Sequence, residues 1–359
     1  MSDPLSGETA RCWADIDLSA LAANARAFRS MVGSPLLPVV KADGYGLGAP
    51  AVVRALEATE PWGYGVGTVE EGEEVRALGI TRPVLVLTPM LPELGSRHLA
   101  AGLRPTVGHF EALAAWLALG DAPFHLEIDT GMRRAGFTWN DADALAALGP
   151  RLGTAKGWEG AYCQFHSAED DPAATRLQWA RLQETLAALG RRPPLVHAAN
   201  SGAGALGLAP GANLARPGFY LYGGRVGGHV PVNVVSLRAR VVALRRVLRD
   251  DSVSYGATWR AGHPTQIATV AAGYADGVPF GIGNRGRVEI AGTPYPVAGR
   301  VTMDMTMVDV GAATVLPGAV ATIWGGRVSL EEQAQAAGTI PYTLLTGLGP
   351  RVVRRYRSE

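Results

Sequence analysis

The sequence predicts an α/β protein in which a (β/α)₈ barrel of the TIM type is followed by a mostly antiparallel β domain. Roughly the first 230 residues alternate short apolar runs with helical stretches rich in alanine and leucine. From Pro231 onward, short β-rich runs are separated by Gly, Pro and Asp. A chain of 359 residues has room for both parts. We therefore place the barrel at 11–230 and the β domain at 231–359, and expect residues 1–10 to be extended and associated with the β domain.

The barrel prediction depends on the alternation of strands and helices. LLPVV reads as the strand before Lys41, APAVVRALEA as the helix that follows, and DPAATRLQWARLQETLAALG as a later helix. Repetition of this length is typical of a parallel sheet, most simply a closed barrel, with a doubly wound open sheet as the alternative. The other predicted strands lie in WGYGVGT, PVLVLTP, LRPTVG, FHLEIDTG, WEGAYCQFH and PLVHAANSG.

The β domain is predicted from short runs rich in Val, Ile and Thr. Within it, AGTP is typical of a hairpin connection between two strands. The predicted strands lie in VNVVSLRARVVALRRV, TQIATVAAGYADG, RVEIAGTPYPVAGR, MDMTMVDVG and AVATIWGG.

Composition excludes several classes of function. The net charge is +1 with no basic stripe, so we expect no nucleic-acid partner, and no apolar run is long enough to span a membrane. The N-terminus has no secretory signal, and Cys12 and Cys163 form no disulfide framework, so we expect a cytoplasmic protein. No Cys/His cluster has metal-ligand spacing, so we expect no metal.

Lys41 stands out because the chain has only one other lysine, Lys156, and otherwise uses arginine. It ends an apolar run and precedes a glycine-rich turn in VVKADGYGLGA. A desolvated lysine can form a Schiff base, whereas arginine cannot. In a barrel, functional residues lie at the C-terminal ends of strands, where Lys41 is predicted. A surface lysine after a buried strand would give the same pattern.

The FHLEIDTGMRRAGF stretch predicts a strand with two different faces. Inward carboxylates need partners, and Arg133 and Arg134 follow directly, so a structural ion pair and a functional role both remain open. The apolar face would carry Phe124, Leu126 and Ile128, and the inward face would carry His125, Glu127 and Asp129.

Two glycine-rich strand ends are candidates for binding a phosphate group. Asn200, Ser201 and Gly202 end one strand, and Arg216 and Gly218 lie in the next segment. Hydroxyls and free backbone N–H groups suit a phosphate, although ordinary barrel loops have the same composition.

Three residues of the predicted β domain lie in unusual local sequences. Tyr255 stands between small residues in SVSYGATW, and Met303 and Asp304 follow a tight turn in VAGRVTMDMTM. A packed ring, core methionines and a turn aspartate would also explain these patterns.

Together these segments resemble the alanine racemases, and the resemblance covers nearly the whole chain. That family consists of pyridoxal 5'-phosphate (PLP) enzymes with a barrel followed by a β domain. The matching motifs, in chain order, are VVKADGYGLGA, DTGMRRAGF, HAANSG, RPGFYLYG, SYGATW, GYADG and GRVTMDM.

The resemblance implies a two-base reaction in a homodimer with shared active sites. Lys41 would form the Schiff base with PLP and transfer one proton, and Tyr255 of the partner subunit would transfer the other. Racemisation removes a proton from one face of Cα and returns it on the other, so two groups are needed. Arg134 would lie near the PLP phenolic oxygen and the substrate carboxylate.

The remaining site residues are also implied by the resemblance. Arg216 would face the pyridine nitrogen, where it cannot accept a proton and so keeps the ring neutral. The residues expected at the phosphate are Tyr45, Asn200, Ser201, Gly218 and Phe219. The substrate-site pair from the other subunit would be Met303 and Asp304, with Tyr274 at the entrance.

Three positions depart from the family pattern. Glu127 stands where many members carry a carbamylated lysine, and we hypothesise that it orients Arg134. Pro350 aligns with a tyrosine that touches the phosphate. Gln164 aligns with a histidine beside the pyridine-facing arginine, and its amide can still bind Arg216.

The predicted function is interconversion of L- and D-alanine, which supplies D-alanine for peptidoglycan. The alternatives are a broader amino-acid racemase that also accepts serine, and a non-catalytic PLP-binding barrel. A basic amino-acid decarboxylase is a third reading, although an acidic residue would be expected at the pyridine nitrogen in place of Arg216.

Overall fold

The structure, a computed structural model, describes residues 9–358, which divide into two units. The barrel unit comprises 21–44 and 49–232. The β unit comprises 9–20, Tyr45–Gly48 and 233–358.

The barrel unit contains a parallel sheet whose two ends join. Residues 36–40 close the ring on one side, where the Val40 N–H donates to the Gly65 carbonyl at 2.8 Å. On the other side the Leu37 N–H donates to the Ala215 carbonyl at 2.7 Å. The Asn213 N–H donates to the Val196 carbonyl at 3.1 Å, which joins the Ala215 segment to the strand Leu195–His197. Six strands and the two closing segments therefore form a closed barrel, which confirms the predicted fold class and excludes the open sheet. The ladder between the closing segments runs through Tyr64–Val66, Val84–Pro89, Arg104–Val107, Phe124–Asp129, Trp158–Tyr162 and Leu195–His197.

Helices connect the strands, and several begin at a side chain that accepts a backbone N–H, such as Thr68 and Asp171. A short strand, Phe137–Thr138, pairs beside Phe124–Asp129. None of the described helices is long and apolar enough to cross a bilayer. The longer helices up to residue 205 are Leu18–Val32, Ala49–Glu57, Val69–Ala77, Gly95–Ala100, Phe110–Ala118, Ala142–Thr154, Pro172–Ala188 and Ser201–Ala205.

The strand Phe124–Asp129 has the two faces that its alternation predicts. Phe124, Leu126 and Ile128 are fully buried and belong to the same apolar cluster as Trp116 and Trp179 of the surrounding helices. Each such side chain stabilises the fold by about 1.5–3 kcal/mol relative to an exposed one. The opposite face therefore points inward.

The β unit is built on an eight-stranded, mostly antiparallel sheet, as predicted. The AGTP hairpin is present: Ala291 and Gly292 both have positive φ, 50° and 79°, as a two-residue turn of this kind requires. A small ribbon pairs Ser252–Val253 with Trp259–Arg260. The strands of the main sheet are Cys12–Asp17, Val235–Val247, Thr265–Val270, Arg287–Ile290, Thr293–Pro296, Thr306–Gly311, Val320–Trp324 and Val353–Arg357.

The β unit differs from the sequence expectation in three ways. Residues 11–20 were assigned to the barrel, but Cys12–Asp17 pairs with Val235–Val247 and Val353–Arg357 and so belongs to this sheet. Tyr45–Gly48 also belongs to this unit. Two helices follow the last antiparallel strand, at Leu330–Ala337 and Pro341–Thr346. Most of the expected extended segment, residues 1–8, lies outside the described residues.

Candidate active site

Lys41 follows the barrel segment 36–40 and begins a left-handed turn. Ala42, Asp43 and Tyr45 have φ of 53°, 54° and 56°, and Gly44 between them has 61°. For residues other than glycine this conformation costs about 1–2 kcal/mol each. The turn therefore needs partners that hold it, and the Asp43 carboxylate provides one by accepting the Ala49 N–H at 2.7 Å.

Glu71 holds the same turn at its other end. One carboxylate oxygen accepts the Ala42 N–H at 2.8 Å, and the other accepts the Gly67 N–H at 2.6 Å. Thr68, three residues earlier, is the N-cap of the helix Val69–Ala77 and accepts the Glu71 N–H. Sequence reasoning missed Glu71, although T-V-E-E before a helix carries the signal.

Lys41 is surrounded by more positive than negative charge. Partial burial lowers the pKa of its amine, and the charges of Arg134 and Arg216 lower it further. The carboxylate of Glu71 opposes them and raises the pKa. The net effect is a lowered pKa, which increases the neutral, nucleophilic fraction of the amine at neutral pH.

Arg216 is buried, with 4% of its surface exposed. Its Nη1 donates to Nδ1 of His197 at 2.7 Å, and its Nη2 donates to the Cys163 carbonyl at 3.0 Å. Nη2 also donates to Oε1 of Gln164 at 3.2 Å, so the expected hydrogen bond between these residues is present. The guanidinium lies 4.8 Å from the Tyr162 ring centre. These contacts fix the guanidinium in one orientation.

A buried hydrogen-bonded relay continues from Arg216. Since Nδ1 of His197 accepts from Arg216, its Nε2 carries the proton and donates to Nδ1 of His125 at 2.7 Å. Nε2 of His125 then donates to Glu159 at 3.1 Å, which also accepts from Arg104 at 3.2 Å. Burial lowers the pKa of both histidines, so both are neutral. The sequence placed His125 inward but did not identify His197 or Glu159 as its partners.

Glu127 points into the barrel beside this relay and is 4% exposed. Burial raises the pKa of its carboxyl, while the charges of Arg134 and Arg216 and a hydrogen bond from Tyr162 act to lower it. Its Oε2 has no hydrogen-bond partner among the described residues. Glu127 therefore has a buried carboxyl oxygen, Oε2, that can still accept a hydrogen bond.

The neighbouring carboxylate has a structural role. Asp129 accepts the N–H groups of Gly131 and Arg133, at 2.9 and 3.0 Å, and its other oxygen lies 4.0 Å from the Arg133 guanidinium. The ion pair that the sequence left open is therefore present here. Arg134 is exposed and acts on Lys41 and Glu127 through its charge.

The predicted phosphate residues of the barrel unit lie together. The Ser201 hydroxyl accepts the N–H groups of Gly218 and Tyr220, at 3.1 and 3.3 Å. The Asn200 side chain accepts the Ala203 N–H at 2.9 Å and begins the short helix. Phe219, 5% exposed, lies between the two N–H donors. The Ser201 hydroxyl thus ties the two predicted phosphate segments together.

The β unit holds the remaining predicted residues. Tyr45 is 8% exposed, and its ring centre lies 6.3 Å from that of Tyr342. Burial raises the pKa of the Tyr45 phenol, so it is a hydrogen-bond donor at neutral pH. Pro350 directly precedes Arg351 and, as a proline, donates no N–H.

Tyr255 projects from a strained loop and is 73% exposed. Ser254 and Gly256 on either side have φ of 68° and 74°, and the Ser254 hydroxyl donates to the Arg300 carbonyl at 2.7 Å. The positive φ at position 256 favours glycine, because any other side chain there would be strained. The neighbouring loop therefore holds the backbone beside Tyr255.

Met303, Asp304 and Tyr274 belong to the same group of loops. The Tyr274 N–H donates to the Thr302 carbonyl at 2.9 Å. Arg351 donates to the Asp304 carboxylate at 2.7 Å and to the Met303 carbonyl at 3.2 Å. The structure thus brings these three predicted residues together with the Tyr255 loop.

Asp276 is a buried residue that stabilises the loops of Tyr274, Met303 and Asp304. The sequence analysis did not identify it. Its side chain is fully buried and pairs with Arg351 at 2.8 Å and with Arg11 at 2.7 Å. It also accepts the Gly273 N–H at 2.9 Å. The GYADG motif contains Asp276, but its long-range partners are not visible in sequence. Among the residues described, no group of three acidic, His or Cys side chains could hold a metal ion.

Comparison with known proteins covers both units. The N-terminal domain of alanine racemase matches residues 16–226, and the C-terminal domain matches residues 234–356. An alanine racemase of Deinococcus radiodurans is 40% identical over 96% of this chain and 99% of its own length.

Solved structures are similar over the same extent. The biosynthetic alanine racemase of Pseudomonas aeruginosa is 33% identical, with a TM-score of 0.89 over 98% of this chain and 100% of its own. The Bartonella henselae alanine racemase, solved with covalently bound pyridoxal phosphate, is 28% identical, with a TM-score of 0.91 over 97% and 100%. The chain therefore belongs to the alanine racemase family of PLP-dependent isomerases.

Proposed function

We propose that this protein interconverts L- and D-alanine with PLP bound through Lys41, using Lys41 and Tyr255 of the partner subunit as the two proton-transfer groups. The observation that carries the proposal is Lys41 itself: an amine of lowered pKa at the end of a barrel strand, beside Arg134 and Arg216. Similarity to enzymes named alanine racemase supports the choice of substrate.

The side chains of the barrel unit fit the cofactor. Lys41 supplies the amine for its aldehyde, and Arg216 supplies a fixed cationic donor for its pyridine nitrogen. Ser201 and the backbone of Gly218 and Phe219 suit its phosphate. When bound, PLP stabilises the negative charge left after a proton leaves Cα of the amino acid.

Arg216 determines how strongly the ring withdraws electrons. Its guanidinium cannot accept a proton, and the groups next to it in the relay are the neutral imidazoles of His197 and then His125, with the Glu159 carboxylate at the far end. Among the described residues, the hydrogen-bond acceptors of this guanidinium are a ring nitrogen, two backbone carbonyls and an amide oxygen, and none of them is a carboxylate. Facing the pyridine nitrogen, Arg216 would leave that nitrogen unprotonated, so the bound cofactor would supply a weaker electron sink, a setting that favours return of the proton to Cα over transamination.

The second proton-transfer group is Tyr255 of the partner subunit. The exposure of Tyr255, Met303 and Tyr274 in one chain supports a homodimer in which these residues complete the neighbour's site. Because each proton must be held on a different face of Cα, a group on another chain is well placed to act opposite Lys41.

We further propose that Glu127 orients Arg134 toward the substrate carboxylate. The unpartnered Oε2 of Glu127 and the effect of the Arg134 charge on its pKa support this role. Glu127→Gln keeps the shape but removes the charge, so the KM for alanine should rise by roughly tenfold. Unchanged kcat and KM would rule the role out.

The biological setting is part of the same proposal. We place the enzyme in the cytoplasm, as a supplier of D-alanine for peptidoglycan, without nucleic-acid or membrane partners. Complementation of a bacterial strain that requires D-alanine would test this role. Growth that still depended on added D-alanine, despite activity in vitro, would contradict it.

The central experiment is a racemisation assay with a panel of L-amino acids, read by chiral chromatography. We expect alanine to be the preferred substrate, with serine as the competitor that a small pocket discriminates least. Lys41→Ala should lose activity by at least roughly 10³-fold, since covalent and proton-transfer roles are lost together. Lys156→Ala is the matched control: this exposed lysine pairs with the exposed Asp121, and its loss should leave turnover unchanged. Full activity of Lys41→Ala would refute the proposal.

A further inference from the structure

We propose that Glu71 is a positioning residue for Lys41: its carboxylate holds the left-handed turn that follows the lysine. The inference builds on the proposed function, because it takes Lys41 as the lysine that binds the cofactor. It assigns a role to a side chain outside the motifs that carry the family resemblance.

The first support is geometric. The two oxygens of Glu71 accept different backbone N–H groups, from Ala42 directly after the lysine and from Gly67 at the end of the next barrel strand. The distances, 2.8 and 2.6 Å, are those of strong charge-assisted hydrogen bonds. Glu71 therefore fixes the Lys41 backbone to the neighbouring strand.

The second support is that this turn cannot hold itself. Ala42 and Asp43 have positive φ, and only outside contacts keep residues of this kind in such a conformation. Asp43 anchors the far end on Ala49, and the Gly44 N–H donates to Val40. Glu71 holds the near end, which adjoins the lysine.

The third support is that the site suits a carboxylate better than an amide. Both partners of Glu71 are N–H donors, so a glutamine would direct its own NH₂ group at one of them. A Cβ at position 67 would lie 3.2 Å from Oε2 of Glu71 and 3.6 Å from Cβ of Lys41. Glycine at position 67 thus leaves room for the carboxylate, which would have to shift by a few tenths of an ångström if a Cβ were present.

The carboxylate also sets the charge around the lysine. Burial and the charges of Arg134 and Arg216 lower the pKa of Lys41, and Glu71 is the group that raises it. Removing the charge should therefore lower the pKa further as well as loosen the turn.

The test uses the rarity of lysine in this chain. In the full-length Lys156→Arg protein, Lys41 is the only lysine, so its reaction with trinitrobenzenesulfonate can be followed by mass spectrometry of the Lys41 peptide. We would measure the rate against pH in the cofactor-free protein, with and without Glu71→Gln. The midpoint should move to lower pH in the variant.

In the cofactor-loaded enzyme, Glu71→Gln should lower kcat by roughly tenfold to 10²-fold, the scale expected for a misplaced reacting group. Glu71→Asp, which keeps the charge but shortens the reach, should restore the titration midpoint more fully than the turnover.

The matched control is Glu70→Gln. Glu70 precedes Glu71 in the same first helical turn, but its side chain is on the surface and pairs with Arg97. This variant should keep the wild-type midpoint and turnover. The proposal is overturned if Glu71→Gln, folded by circular dichroism, matches Glu70→Gln in both measurements, or if both variants are equally impaired.

Should Glu71→Gln fail to fold, Glu71→Asp carries the test. An unchanged midpoint with lowered turnover supports positioning, and wild-type turnover overturns it. A wild-type enzyme without racemase activity would instead refute the proposed function.

Discussion

The barrel unit and the β unit present their site residues in opposite ways. Arg216 is 4% exposed and has four hydrogen bonds within its own unit, whereas Tyr255 is 73% exposed. Met303 and Tyr274 are also exposed, at 52% and 46%. The barrel residues are thus held by their own chain, while the β-unit residues are directed outward.

The difference supports the proposed homodimer, in which the barrel residues act within their own chain and the β-unit residues act on the partner. Strained loops with large exposed side chains are costly unless another surface covers them. The loops around Tyr255 are nevertheless fixed, by Ser254 on Arg300 and by Arg351 on Asp304. Rigid but exposed residues of this kind are what a shared active site in a homodimer requires.

The largest expected effect is a rescue between two inactive variants. Lys41→Ala and Tyr255→Phe should each lower turnover, the latter by roughly 10²–10⁴-fold, because each removes one proton-transfer group. If the sites are shared, unfolding and refolding a 1:1 mixture should restore about a quarter of wild-type activity, since half of the dimers carry one intact site.

Tyr295→Phe is the control for this experiment, because Tyr295 lies in a hairpin strand outside the candidate site. It should be fully active alone. If the refolded mixture were no more active than its two components, Tyr255 would act within its own chain and the comparison above would fail.

A smaller effect is expected at Asp276, which supports the exposed loops from a buried position. Asp276→Asn removes the charge shared by Arg11 and Arg351 and should lower the free energy of unfolding by roughly 1–3 kcal/mol. Because Arg351 also holds Asp304, the KM for alanine should rise as well. Denaturant unfolding and steady-state kinetics measure the two effects. Stability and KM equal to those of the wild-type enzyme would show that the buried carboxylate has no special role.

The smallest effect concerns the barrel relay and pH. His197 is buried and neutral with a lowered pKa, so below its ordinary value of 6.5 the unfolded chain binds a proton that the folded chain does not. Stability is therefore lost as pH falls, by at most about 1.4 kcal/mol per pH unit from this residue. In His197→Asn, the melting temperature should fall less steeply between about pH 6.5 and 5 than in the wild type. The control His263→Asn changes an exposed histidine and should keep the wild-type slope. An identical slope in both variants would mean that His197 is protonated in the folded state.

The sequence predicts those features that depend on local pattern. Alternation along Phe124–Asp129 gives both faces of the strand, and Ala291-Gly292 gives the hairpin turn. Motif resemblance gives Lys41 and Arg216. In each case neighbouring residues carry the information.

What the sequence does not predict depends on long-range pairing. The carboxylate of Glu71 reaches Ala42, 29 positions earlier, and Arg351 reaches Asp276 across 75 positions. The local pattern of Cys12–Asp17 suits a strand of either unit, so the sequence assigns it to the start of the barrel. Only its pairing with Val235–Val247 assigns it to the β unit. Such partners become visible only in three dimensions.

The closure of the barrel has a consequence for synthesis on the ribosome. Residues 36–40, which lead to Lys41, are joined to 214–217, which contain Arg216, through the Val39 N–H and the Pro217 carbonyl. The ribosome adds Lys41 early and Arg216 about 175 residues later. At typical rates of translation, roughly ten seconds or more separate the two. A nascent chain would therefore carry a reactive lysine without its cofactor pocket until the last strand of the ring emerges.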